Sequence, residues 1–435
     1  MKPFVIKNKF TPRGKICLAG DKSIAHRALI ISVLSRGKTI IKNFPLHDDS
    51  LATLGALTVL GAKISRVNHQ VSVWGVKGLS KPRKPIFVNN SGTTLRLILG
   101  VLAGLDFETK IIAAKYLAVR PMSRVNKPLR LMGAKITAKN SGAEEYPPLV
   151  ISGGNLKGIT YHMPVASAQV KSAILLAGLS ALGKTRVIER VGTRDHTERM
   201  LKAFGANITV NKNCVTLNPV RCLISPGRIY IPGDISSAAF LTVLAVIIPG
   251  AKVVIERVSI NPSRCGIINV LKRMGAKIKV MPLKNKLQSF EPMANLTVSS
   301  GKLKPALVNS SEIPSLIDEL PVLMVAACFA EGRTIIKGAG ELRFKETDRI
   351  NSMLTNLRAM GADIRLIKSG SSENIVINGK GALNGAKLKS FGDHRTAMSV
   401  VIAALGAKGS SRLDDISCIS KSFPGFLTTL KSLLR

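Results

Sequence analysis

Aromatic side chains make up only 4% of the 435 residues, and acidic ones are scarce, with 25 Asp+Glu against 64 Lys+Arg. The six cysteines, Cys17, Cys214, Cys222, Cys265, Cys328 and Cys418, contain no C-x-x-C pair, and the six histidines form no H-E-x-x-H pattern. Neither disulfides nor a metal are therefore indicated. Long apolar runs are missing as well: the longest largely apolar stretch, Ala238 to Ile248, stops at Pro249, well short of the roughly 18 residues that span a bilayer. Met1-Lys2-Pro3-Phe4-Val5-Ile6-Lys7 meets charge too early for a signal-peptide core, so a cytoplasmic protein is expected. The formal charge of +39 raises the question of nucleic acid. Against a specific nucleic-acid partner, the basic residues are spread along the whole chain, stacking aromatics are few, and no nucleic-acid motif is present. The physical consequence of the charge is a positive field that steers anionic substrates inward.

What the chain does have is ample apolar content, 46%, and a length that suits two or three domains. One phrase recurs: Leu57 to Ile64, Leu129 to Ile136, Leu201 to Ile208, Leu271 to Ile278 and Leu357 to Ile364 all fit L-x-x-[LMF]-G-A-x-I. Its glycines, Gly61, Gly133, Gly205, Gly275 and Gly361, are 72, 72, 70 and 86 residues apart, a period that divides the chain into about six units. Each phrase reads as the last turn of a helix, a glycine stop and a short β-branched strand. A sixth unit would end in the helical Leu427 to Leu434. Six α/β units suggest two lobes of three, with chain crossings near Gly20 and Pro232 and a small-molecule site in the cleft between them.

Anion-binding signals are superimposed on this repeat. Gly20-Asp21-Lys22-Ser23-Ile24-Ala25-His26-Arg27 places a lysine, a hydroxyl and an arginine around the start of a helix predicted over Ala25 to Leu34, with Asp21 as N-cap. Arg27 lies four residues after Ser23, so both can converge on one phosphate or carboxylate. Gly-Asp helix starts return at Gly233-Asp234 and Gly392-Asp393. Asn89-Asn90-Ser91-Gly92-Thr93-Thr94-Leu95-Arg96 begins another helix, with a glycine that lets a ligand approach the backbone. Arg120-Pro121-Met122 follows an apolar strand, and Ser167-Ala168-Gln169-Val170-Lys171 starts a further helix. Each of these alone is as compatible with capping or packing. The charged run Glu341 to Arg349 reads as a solvated helix end, and Asp318-Glu319 as an N-terminal acid pair. Taken together, Lys22, Arg27, Arg120, Lys345, Arg349, Arg395 and Lys421 supply more positive charge than one phosphate needs. Asp318 and Glu346 are the evident acid/base candidates, and a pocket for two anions follows.

The motifs G-D-K-S-I-A-H-R, N-S-G-T-T-L-R, R-P-M, S-A-Q-V-K, R-D-H-T-E-R, R-F-K-E-T-D-R and G-D-H-R-T-A-M, in order along essentially the whole chain, resemble the 5-enolpyruvylshikimate-3-phosphate synthase family of enolpyruvyl transferases. The resemblance implies an α/β fold of two lobes, an inverse α/β barrel of six βαβαββ repeats with three per lobe. Lobe one would comprise residues 1–19 plus 232–435, and lobe two residues 20–231. The implied reaction joins the 5-hydroxyl of shikimate 3-phosphate to C2 of phosphoenolpyruvate and expels phosphate, without cofactor or metal. By motif, Lys22, Ser23, Arg27, Ser167, Ala168, Gln169, Arg194, Asp318 and Lys345 would hold shikimate 3-phosphate. Lys22, Gly92, Arg120, Gln169, Arg349, Arg395 and Lys421 would hold phosphoenolpyruvate. Asp318, Glu346 and Lys22 would carry the proton transfers.

The chain departs from the better-known branch at three of these places. Ala168 replaces a serine and offers only backbone, Arg194 stands in for a phosphate-binding serine, and Glu341 replaces an asparagine and is given no ligand role. A monomer with no membrane or nucleic-acid partner is expected. The alternatives are a UDP-N-acetylglucosamine enolpyruvyl transferase, whose family carries a Lys-Asn pair where this chain has Lys22-Ser23, and a basic nucleic-acid-binding scaffold.

Overall fold

The computed structural model describes residues 3–7, 10–75, 78–284, 289–370 and 372–434. The recurring phrase acts as a helix stop. In all five copies the glycine has positive φ, between 82° and 113°. Its N–H bonds the carbonyl three residues back, and the following alanine N–H bonds the leucine that opens the phrase, as in Ala62 to Leu57 and Ala206 to Leu201. This is the Schellman arrangement, in which only glycine takes the left-handed position without a Cβ penalty. The opening leucines Leu57, Leu129, Leu201, Leu271 and Leu357 are wholly buried, so each stop is also a core anchor.

The described residues of 1–18, 232–284 and 292–435 form one compact unit, and those of 19–231 with 289–291 form a second. In the second unit, three four-stranded sheets share one order. A short edge strand runs parallel to the next, which pairs antiparallel with a third, which pairs antiparallel with a fourth. The three are Arg228–Tyr230, Lys38–Lys42, Gln70–Trp74 and Lys63–Val67; Ile86–Phe87, Thr109–Ile112, Glu144–Ser152 and Lys135–Ser141; and Thr160–His162, Thr185–Ile188, Cys214–Leu217 and Ile208–Asn211. The first unit has two sheets of the same order, one built on Lys252–Ser259 and one on Glu331–Ile336. Its three-stranded sheet pairs Ser411–Leu413 with Lys387–Leu388 and with the N-terminal strand Phe4–Ile6. The fold is mixed α/β, and no sheet closes into a barrel among the described residues.

Each unit is built around three helices that are buried on nearly every side, largely through apolar side chains. In the second unit these are Lys22–Val33, Gly92–Leu102 and Ala168–Gly178; in the first, Ile235–Ile247, Leu320–Cys328 and His394–Gly406. Helices with one buried face, such as Ser123–Leu131 and Gly266–Arg273, carry the polar surface. The helix expected from Ala25 begins three residues earlier, because the Asp21 side chain accepts from Ile24 N–H at 3.0 Å and sets Lys22 as the first helical residue. The charged run Glu341 to Arg349 is not one solvated helix end: a 3-10 helix, Ala339–Phe344, stops there, and the helix Arg349–Ala359 starts under an Asp348 cap with Arg349 buried. The longest interval between glycines, 275 to 361, includes the connection after strand Lys277–Pro282, whose residues Phe290 and Glu291 belong to the second unit. No helix among the described residues is long and apolar enough to cross a membrane.

Candidate active site

Five of the six buried helices begin at or beside candidate residues. Their first N–H groups lack intrahelical partners and carry the positive end of the macrodipole, so an anion is favoured there. Asp21, Ser91, Ser167, Asp234 and Asp393 each cap such a start by accepting from a backbone N–H.

In the second unit, Lys22 Nζ lies 2.8 Å from Asp49 Oδ2, at the first turn of helix Asp48–Val59. Arg27 is almost completely buried. Its Nε donates to Thr197 Oγ1 at 2.7 Å, Nη2 to Ser172 Oγ at 2.7 Å, and Nη1 to the Ser23 carbonyl at 2.8 Å. Three of its five N–H groups are thus committed to orienting the fork. Burial draws its pKa down to about 10, partly opposed by Glu198 and reinforced by Arg194; it remains a cation at neutral pH.

Gln169 donates to Thr93 Oγ1 at 2.9 Å and accepts from Arg96 Nη1 at 3.2 Å, which joins two helix starts. Arg96 Nη2 also donates to the Pro121 carbonyl at 3.3 Å. Gly92 lies beneath two guanidinium groups: a Cβ there would fall 2.7 Å from Arg96 Nη1 and 3.1 Å from Arg120 Nη1. Arg120 follows the short helix Lys115–Ala118 rather than the strand directly. Ser167 Oγ accepts from Val170 N–H at 3.4 Å, which leaves its own hydroxyl proton for a ligand.

In the first unit, Asp318 lies among three guanidinium groups: Arg349 Nη1 at 3.5 Å, Arg264 Nη1 at 3.6 Å and Arg395 Nη2 at 3.7 Å. Arg395 Nη1 also donates to the Asp318 carbonyl at 3.0 Å. Arg349 Nε donates to Asp393 Oδ2 at 2.9 Å, and its Nη2 donates to Glu346. Burial opposes the Arg349 charge, but Asp393, Glu346 and Asp318 outweigh it and hold the pKa above its ordinary value. Burial likewise opposes ionisation of Asp393, and Arg349 and His394 prevail to keep it below its usual range. Lys421 Nζ donates to the Gly392 carbonyl at 3.1 Å, beside the start of helix His394–Gly406. Lys345 is the residue that links the 3-10 helix to the Glu346–Asp348 turn. Arg343 in the same motif is structural, tied to Glu373 at 2.7 Å and to Asp348.

The expected residues therefore divide between the two units, with the contacts above linking most of those in each. Lys22, Ser23, Arg27, Gly92, Arg120, Ser167, Ala168, Gln169 and Arg194 lie in the second unit, and Asp318, Lys345, Glu346, Arg349, Arg395 and Lys421 in the first. Sequence reasoning missed Asp49, Arg96, Ser172, Thr197 and Arg264. Ser172 and Thr197 adjoin or lie within quoted motifs, yet only folding shows that they hold Arg27. Among the described residues no three His, Cys, Asp or Glu side chains gather as a metal site would require.

Buried arginines at helix starts, with a carboxylate among three of them, have the charge and geometry that suit anionic ligands. The sequence matches the EPSP synthase (3-phosphoshikimate 1-carboxyvinyltransferase) family over residues 9–430, and the chain belongs to that family. It is similar to the 3-phosphoshikimate 1-carboxyvinyltransferases of Syntrophomonas wolfei, 46% identical over 424 residues, and of Bacillus cytotoxicus, 43% identical over 422, each alignment covering 97% of both chains. It is also similar to the solved EPSP synthase of Acinetobacter baumannii, with a TM-score of 0.87 and 40% identity across 99% of this chain and 97% of that one. The activity is accordingly enolpyruvyl transfer in the shikimate pathway, and the nucleotide-sugar and nucleic-acid alternatives find no support.

Proposed function

We propose that these two sets of residues act on one pair of substrates, shikimate 3-phosphate and phosphoenolpyruvate, with the residue roles implied by the motifs. The observation that carries this reading is Asp318, a carboxylate held among guanidinium groups two of which, Arg349 and Arg395, stand at helix starts. Lys22, Ser23, Arg27, Ser167, the Ala168 backbone, Gln169, Arg194 and Lys345 hold shikimate 3-phosphate. Asp318 accepts the proton of its 5-hydroxyl as the oxygen adds to C2 of phosphoenolpyruvate, while Lys22 or Glu346 gives a proton to C3. Loss of phosphate from C2 and of a proton from C3 then restores the double bond. Arg120, Arg349, Arg395, Lys421 and Gln169 hold the phosphoenolpyruvate anion groups beside Gly92. The chemistry is chiefly positioning and charge compensation, which arginine forks supply bidentately. The recurrent sheet order supports the finer architecture, an inverse barrel of six βαβαββ repeats in lobes 1–19 plus 232–435 and 20–231. The enzyme works as a cytoplasmic monomer without cofactor. Phosphate release from phosphoenolpyruvate with shikimate 3-phosphate, and none with UDP-N-acetylglucosamine, is the expected assay result; the reverse preference would overturn the reading.

Two consequences follow for phosphoenolpyruvate. Arg349→Lys and Arg395→Lys should each lower kcat/KM for it about tenfold, part of the ~2–5 kcal/mol lost when one partner of a buried charge pair is removed. Unchanged steady-state constants in both variants would rule out a bidentate clamp. Glyphosate, read as a longer occupant of the same site, should compete with phosphoenolpyruvate and bind better with shikimate 3-phosphate present. Gly92→Ala pushes a methyl group against the Arg96 and Arg120 guanidinium ends, and it should weaken the inhibitor about tenfold more than the substrate, a selectivity by exclusion. Inhibition constants for both proteins decide this: equal losses for inhibitor and substrate, or a tolerant parent, would free Gly92 of that role.

A further inference from the structure

Arg264 is one of the largest fully buried side chains in the chain, only 1% exposed. It sits on a single 3-10 turn, Pro262–Arg264, fixed by the Asn261 side chain accepting from Ser263 N–H at 2.9 Å. Its guanidinium divides between two neighbouring acids: Nη1 is 3.6 Å from Asp318 Oδ2, and Nη2 donates to Glu319 Oε1 at 3.3 Å. Nη2 also donates to Ser236 Oγ at 2.7 Å and lies 3.9 Å from Asp234 Oδ1, both at the start of helix Ile235–Ile247. Ser236 in turn donates to Glu319 Oε1. One fork thus ties that helix start to the acid pair preceding helix Leu320–Cys328.

We propose that Arg264 is a positioning residue for Asp318, holding its carboxylate ionised and aimed through the catalytic cycle. The inference rests on the reading of Asp318 as the acceptor of the hydroxyl proton. Among the described residues of this unit, the charged groups beside Asp318 include Arg264, Arg349 and Arg395, with Glu319 next in the chain; Glu319 also faces Arg264 and Arg395, Asp234 faces Arg264, and Glu346 and Asp393, the latter next to His394, face Arg349. Arg349 and Arg395 are assigned to phosphoenolpyruvate, so their pull on Asp318 is shared once an anion binds. Arg264 is 1% exposed and carries no assigned ligand, so its charge stays 3.6 Å from the Asp318 carboxylate when the anions bind. Without it, the two carboxylates that flank its guanidinium, Asp318 and Glu319, would lose a shared counter-charge, and a carboxylate with less compensating charge retains its proton to higher pH. A protonated Asp318 cannot accept the hydroxyl proton.

The test is the pH profile of kcat at saturating concentrations of both substrates, with urea unfolding midpoints measured in parallel. Arg264→Met removes the charge. Its kcat at neutral pH should fall about tenfold, as misplacement of a reacting group does, while both KM values stay within about twofold. The acidic limb should move to higher pH by about one unit, because removing a nearby cation raises a carboxylate's proton affinity. Arg264→Gln keeps polar contact without charge and should move the limb the same way if the methionine variant does not fold. Arg264→Lys should return the limb toward its original place while restoring kcat only in part. An acidic limb that stays at the parental pH in the neutral variants would overturn the proposal, whatever their stability. Asp318→Asn separates the two levels: near-parental kcat there removes the base assignment, whereas a collapse of kcat there with unmoved limbs in the Arg264 variants removes Arg264 alone.

Discussion

Asp318→Ala is expected to lower kcat by about 10²–10⁴, the range that a positioned general base contributes, while leaving shikimate 3-phosphate affinity nearly unchanged. A carboxylate adds repulsion to a complex that already contains two phosphates and a carboxylate, so a kcat effect larger than the binding effect is what proton transfer by Asp318 requires. Its surroundings fix the sign of a second effect. Arg264, Arg349 and Arg395 all lie within 3.7 Å of Asp318 oxygens, and removing the acid leaves three cations with one less counter-charge. Anions should then bind at least as well, so KM for phosphoenolpyruvate should hold or fall as kcat collapses. That split marks an interaction made in the transition state rather than uniform binding. Steady-state kinetics with both substrates varied would show it. A variant with near-normal kcat would take Asp318 out of the mechanism, and a kcat loss accompanied by a large rise in both KM values would make its role one of binding.

Much of the fold was legible because the strongest signals are local. The L-x-x-[LMF]-G-A-x-I phrase encodes a complete helix stop within eight residues: the leucine accepts the alanine N–H, and the glycine takes the left-handed turn. The caps at Asp21, Ser91, Ser167, Asp234 and Asp393 are equally local, since each side chain reaches an N–H two or three residues on. Many of the residues assigned to anions, such as Lys22, Gly92, Gln169 and Arg395, sit beside these starts. What sequence did not show depends on chain segments far apart. Thr197 and Ser172 meet Arg27 across 170 and 145 residues, and Asp49 meets Lys22 across 27. Arg264 reaches Glu319 across 55 residues and carries no local mark beyond a short capped turn. The reading of Glu341 to Arg349 as one solvated helix end fails for a related reason. Alternating charge looks solvated, but Arg349 is drawn inward by Asp393, 44 residues away, while Arg343 stays outside with Glu373. A charge pattern does not distinguish the two until partners are placed.

Lys171→Met should destabilise the second unit by about 3–5 kcal/mol, because breaking a buried ion pair from one side leaves the opposite charge uncompensated. Lys171 follows the Ser167-Ala168-Gln169 start on helix Ala168–Gly178. Its Nζ lies 2.8 Å from Glu189 Oε2 and 2.6 Å from Glu198 Oε1, with all three side chains nearly inaccessible. Burial works against the lysine charge, but Glu198 and Glu189 together raise its pKa. Burial also dominates at Glu198 and holds its pKa above the ordinary 4.5 even with the lysine in place. In the variant that pKa should climb further, which makes the loss depend on pH. A carboxyl whose folded-state pKa exceeds its unfolded value costs stability increasingly as pH rises from the unfolded pKa toward the folded one. The deficit should therefore be smallest below about pH 4.5 and grow toward neutrality. Lys171→Met combined with Glu198→Gln should recover part of the loss at neutral pH, since one of the stranded charges is gone. Urea unfolding midpoints at acidic and neutral pH test the argument, and a deficit that does not change with pH would assign the cost to lost packing instead. The same charge network borders Arg27 through Glu198 and through Thr197, the residue before it, so Lys171→Met should also loosen Arg27 and raise KM for shikimate 3-phosphate, and the double variant should reverse part of both. Its KM for shikimate 3-phosphate should return toward the parental value along with stability. Recovery of stability without recovery of KM would mean that the ion triad supports the helix but not the arginine.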